Sequence, residues 1–112
     1  MGKLTNLNPS APIAGAVEKT ITGTVGTSPG DTGVLHGIVS NNGVASSIIT
    51  GVQCTVWDTV RNWRVPPGFA NTGYDYFVYT TDTHFVIYTP GSTGNSSRVL
   101  GMPFEARITY KI

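Results

Sequence analysis

The chain has 112 residues and 11.9 kDa, enough for one domain with a single core and too short for two. Charged residues make up 12%, against about 25% in an average soluble domain, so hydroxyl, amide and glycine must cover the surface; 16 Thr, 8 Ser, 7 Asn, 14 Gly and 7 Pro supply them. A net charge of +1 with scattered Lys and Arg excludes a basic block for phosphates, and 39% hydrophobic residues with mean hydropathy +0.02 exclude a disordered polar chain.

Residues 1–16 carry Pro9 and Pro12, which forbid a helix, and the isolated apolar residues Leu4, Leu7 and Ile13 follow no core period. They read as an extended N-terminal arm ahead of a β-sandwich domain over 17–112. No continuous apolar stretch of signal-peptide or membrane-span length occurs. The expectation is a protein made in a cytoplasm, with no membrane and no nucleic acid as partner.

Period-two alternation starts at Val17 and places Val17, Lys19, Ile21, Gly23 and Val25 on one face, with Glu18, Thr20, Thr22 and Thr24 on the other. After a turn at Ser28-Pro29-Gly30-Asp31, residues 34–39 are apolar on both faces except for His36, which predicts a central strand containing a structural histidine. Asn41-Asn42-Gly43 closes that strand with a turn. Residues 47–58 put Ile48, Val52, Cys54 and Val56 on one face, and Gly51 marks a bulge or bend. Cys54, the one cysteine, reads as a buried thiol, with reactivity as the alternative.

Residues 59–73 lack periodicity and read as a long connection holding Arg61, Trp63, Arg64 and Phe69. Trp and Arg are enriched where proteins meet, so these four, with Leu4, Leu7 and Ile13 of the arm, are the candidate protein-binding residues. A sugar stacked on the loop aromatics is the alternative. Residues 74–80 and 83–89 predict an aromatic hairpin around Thr80-Thr81-Asp82, whose rings, Tyr76, Phe77, Tyr79 and Tyr88 among them, read as sandwich core. After a polar loop from Pro90 to Ser97, Gly101-Met102-Pro103 predicts a kink or an edge. Phe104, Ala106, Ile108, Tyr110 and Ile112 then define the inner face of a last strand. The fold class is an all-β antiparallel sandwich, jelly-roll-like, with no helix.

Catalysis needs a nucleophile with a base, paired carboxylates or a metal cluster. The two histidines, His36 and His84, read as structural and surface residues, and a metal site would require them to meet a carboxylate such as Asp58. Asp75 and Asp82 read as turn caps, so neither an enzyme nor a cofactor is expected.

The run Gly33-Val34-Leu35-His36-Gly37-Ile38-Val39-Ser40-Asn41, followed by Ser46-Ser47-Ile48-Ile49 and Val56-Trp57-Asp58, resembles a pattern in small tailed-bacteriophage and prophage virion proteins. Those chains also close on an alternating strand similar to 104–110. The resemblance implies a capsid decoration, or cement, protein with the major capsid protein as partner, sited on the virion and assembled as a homo-oligomer, a trimer. A tail or fibre module binding a host receptor or glycan, and a bacterial adhesion domain, stay open beside it. The loop 62–71 is longer here than in that pattern.

Overall fold

A computed structural model describes residues 16–39, 48–91 and 95–111. The arm residues Leu4, Leu7 and Ile13 and the turn Asn41-Asn42-Gly43 lie outside the described residues. Among the described residues there is no helix, and seven strands form two antiparallel sheets. These are β1 (Ala16–Thr24), β2 (Gly30–Leu35), β3 (Ile49–Asp58), β4 (Trp63–Val65), β5 (Phe77–Thr80), β6 (His84–Thr89) and β7 (Pro103–Lys111). The sheets have the orders β1-β7-β3-β4 and β2-β6-β5, so the all-β, sandwich-like fold expected from alternation is present. β1 pairs with β7, and β2 with β6 inside it; this nesting is what a rolled antiparallel ribbon produces, while β3-β4 and β5-β6 are local hairpins.

The core is built by the inward alternates of both sheets. Ile21 of β1, Cys54 and Val56 of β3, and Phe104, Ala106 and Ile108 of β7 meet Phe85 and Ile87 of β6. Ala106 lies across from both Ile21 and Cys54, so a small side chain occupies the middle of the sheet while larger ones interlock around it. The Phe104 ring lies over Gly23, its partner on β1, where an added Cβ would sit 2.8 Å from the ring; glycine is required there by the close approach. Phe104 also meets Phe85 of the facing sheet at a centroid distance of 5.7 Å, joining the two layers.

Four expectations are corrected. The strand read as central over 34–39 is an edge strand that ends at Leu35, leaving Leu35 and Val39 exposed. The ladder stops because His36 turns back: its Nδ1 accepts from Ile38 N at 3.0 Å, and Gly37 takes a left-handed φ of 70°. Residues 59–73 are not one aperiodic connection, since β4 folds back on β3 through a tight turn whose Asn62 has φ 61°. Residues 74–76 are not strand, although Tyr74 and Tyr76 are fully buried. β7 is an interior strand between β1 and β3 rather than an edge; Pro103 is its first residue, where a missing N–H donor is tolerated. The bulge expected at Gly51 is present as a register shift between Ile49 and Gly51.

Candidate functional site

The turn after β3 is organised by Asp58, which is fully buried. Its Oδ1 accepts from the backbone N–H groups of Val60 at 3.0 Å and Arg61 at 3.3 Å, the Asx-type turn that lets β4 return so sharply. Its Oδ2 accepts from Arg61 Nη1 at 3.0 Å and from the Tyr74 hydroxyl. Burial alone would raise the Asp58 pKa; donation from Tyr74 and Arg61 and from the two backbone groups outweighs it and holds the carboxyl below 3.8. A buried charge with its acceptor sites filled this way fixes the geometry of everything attached to it.

One ring, Tyr74, is bonded to it, and two more pack on that ring. Tyr74 packs edge-on against Phe69 at 5.5 Å and tilted against Trp63 at 5.9 Å, while Trp63 and Phe69 meet edge-on at 6.2 Å. The Arg98 guanidinium lies 5.8 Å over the Tyr74 ring. Of the four loop residues singled out in the sequence, Arg61, Trp63 and Phe69 therefore converge on one end of the sandwich, and Trp63 remains 42% exposed. Arg64 does not join them. It follows the strand alternation to the outer face of the sheet, where its guanidinium lies 5.0 Å over Trp57, its cross-strand partner, and Trp57 Nε1 donates to Asn62 Oδ1 at 2.9 Å. No charged partner fixes Tyr76, whose hydroxyl donates to the Val65 carbonyl and ties the segment before β5 to β4.

The histidines and the cysteine are packed into the structure. His36 is fully buried, with Nε2 against the Thr81 carbonyl at 2.9 Å and Nδ1 accepting from Ile38, so both ring nitrogens are used, and the tautomer is set with the proton on Nε2. His84 Nδ1 meets Thr83 Oγ1 at 2.7 Å. Among the described residues no three His, Cys, Asp or Glu side chains gather in a way that would hold a metal ion. Cys54 is buried, and burial pushes its thiol up to about 12. Beside it, β4 covers only the last part of β3, and a groove of about 460 Å³ runs along the uncovered stretch, lined by apolar Val52, Cys54, Pro66, Pro67 and Val78 and by polar Gln53, Thr55, Glu105 and Arg107.

A second surface escaped the sequence reading. The outer face of the β2-β6-β5 sheet carries Leu35, Phe77, Tyr79 and Tyr88, exposed by 69, 54, 44 and 40%. These rings were expected in the core. The signal was present in Tyr76-Phe77-Val78-Tyr79, where apolar side chains occupy both alternates; in a two-layer sandwich one of the two must face outward.

Comparison with known proteins returned no match: no family model, no curated protein and no solved structure matches this chain. No helix among the described residues is long and apolar enough to cross a membrane.

Proposed function

We propose that the chain is a non-catalytic virion structural protein that docks on a bacteriophage capsid, decorating and stabilising the shell through the major capsid protein. The observation that carries this reading is the Trp63 end of the sandwich, where an exposed Trp and two arginines, Arg61 and Arg98, lie beside the Tyr74 ring, whose hydroxyl is held by the buried Asp58. Trp, Tyr and Arg dominate the energetics of protein interfaces, and side chains ordered before binding lose little entropy on docking. The sequence pattern of 33–58 supports the phage assignment by resemblance. Trimeric assembly is part of the proposal, because β1, β2, β4 and β5 each leave an edge without a partner among the described strands.

The test is cosedimentation of the purified protein with empty shells built of the same particle's major capsid protein. Wild-type protein is expected to pellet with the shells, and Trp63→Ala to need at least about tenfold more protein for the same occupancy. Failure of the wild type to pellet, or an unchanged Trp63→Ala isotherm, overturns the reading.

A further inference from the structure

The outer face of the β2-β6-β5 sheet is a surface that capsid docking at Trp63 leaves unused. In strand register it has three rows: Asp31, Tyr88 and Phe77; Gly33, Val86 and Tyr79; Leu35 and His84. The Phe77 and Tyr88 rings lie within 25° of parallel with centroids 6.5 Å apart. We infer that this face is a binding platform for a neutral, hydroxyl-rich glycan.

Four observations carry the inference and select the ligand. The Phe77 and Tyr88 rings stack on one another yet stay 54 and 40% exposed, which leaves aromatic surface open to the polarised C–H groups of a sugar ring, an attraction of the same quadrupole origin as edge-to-face aromatic packing. Tyr79, Tyr88 and Asp31 share this face in strand register and bring hydroxyl and carboxylate groups that can donate to and accept from sugar hydroxyls. β2, β5 and β6 contain no Lys or Arg, and Asp31 is their one acidic residue, so the charge of the face disfavours phosphates, sulfates and acidic sugars. Gly33 lies at the centre of β2, where a glycine weakens a strand, yet an added Cβ would meet nothing closer than the His84 ring at 3.4 Å. With no steric need for glycine from within, its missing side chain leaves a dip that lets a ligand approach the sheet.

Size argues against a second copy of the chain as occupant. Three strands about 4.8 Å apart, rising about 3.3 Å per residue over six residues, outline roughly 300 Å². Even doubled for side-chain relief, that falls short of the roughly 800 Å² per partner of a standard stable interface.

The experiment is an amide NMR titration of the full chain with maltohexaose, cellohexaose and chitohexaose, and with dextran sulfate as the anionic control. At least one neutral hexasaccharide is expected to shift signals of β2, β5 and β6 with a Kd of about 0.1–1 mM, and dextran sulfate to leave them in place. Tyr88→Ala should weaken binding about tenfold. Phe77→Leu, which keeps apolar bulk and removes the ring, should do the same with the rest of the spectrum intact, whereas Trp63→Ala should bind as wild type. No shift with any neutral probe at about 10 mM, shifts confined to the Trp63 end, or undiminished binding by Phe77→Leu overturns the inference. Phe77→Leu in the capsid cosedimentation keeps the two readings apart, since it should pellet as wild type whether or not glycan binds.

Discussion

The two sheets share one core and turn opposite kinds of surface to the outside. On the four-stranded sheet the outward alternates of β1 and β7 and of most of β3 include Thr20, Thr22, Gln53, Thr55, Glu105 and Arg107, whose polar groups suit contact with water, and the one outward ring among the described residues of these strands, Trp57 at the end of β3, lies under Arg64. On the three-stranded sheet the same geometric position holds Leu35, Phe77, Tyr79 and Tyr88. Alternation alone is therefore equally satisfied by a solvated face and by a face that a partner can cover. The chemistry of the outward residues, not the period, separates the two.

The comparison breaks most visibly through paired substitutions on the three-stranded sheet. Phe85→Ala removes a fully buried ring between the layers and should cost about 4 kcal/mol, whereas Phe77→Ala on the other face should cost less than about 1 kcal/mol. In thermal unfolding this separates the midpoints by roughly 10 °C or more. Equal losses would mean that Phe77 belongs to the core and that the outer face is not a free surface.

Next in size is Asp58, which fixes the Trp63 end but belongs to neither outer face. Asp58→Ala leaves two backbone donors and the Tyr74 hydroxyl without their acceptor and should cost about 3 kcal/mol. Because the folded carboxyl lies below its ordinary 3.8, its contribution is fully present above that value and is lost as the pH falls through the lower folded value. Unfolding of wild type and Asp58→Asn followed from about pH 5 to pH 2 should therefore converge at the acid end. A constant gap would assign the effect to packing rather than charge. The smallest expected signal is at Cys54. With its thiol pushed up to about 12, it should resist alkylation at pH 8 in the native protein and react at once on unfolding. Fast native labelling would show that the groove beside β3 opens into the core.

Much of the fold was legible because the longest strands alternate cleanly. Ile21, Val56, Phe104, Ala106 and Ile108 were assigned inward from period alone, and they are inward. What escaped depends on contacts distant in sequence. β4 exists because the Asp58 carboxylate and the left-handed Asn62 shape a turn, and a three-residue strand has no period to read. The end of β2 is set by one imidazole folding back onto Ile38. At the candidate site, the convergence of Arg61, Trp63 and Phe69 could be anticipated from their residue types. The anchoring role of Asp58 and the departure of Arg64 required the hairpin geometry.

The place of β7 between β1 and β3 bears on how the molecule comes into being. Among the described strands β1 has no neighbour other than β7, and their ladder joins Ala16 to Lys111 and Thr24 to Pro103, so β1 leaves the ribosome well before the strand it must pair with. The β3-β4 and β5-β6 hairpins can close locally in microseconds, but the four-stranded sheet cannot assemble before residue 111 has emerged. Until then Ile21 and Val56 have no Ala106 or Phe104 to pack beside, and the nascent chain carries an exposed apolar edge. A ribosome stalled before residue 103 would hold a chain with hairpins and no sandwich, and that interval is when a chaperone has the most to recognise.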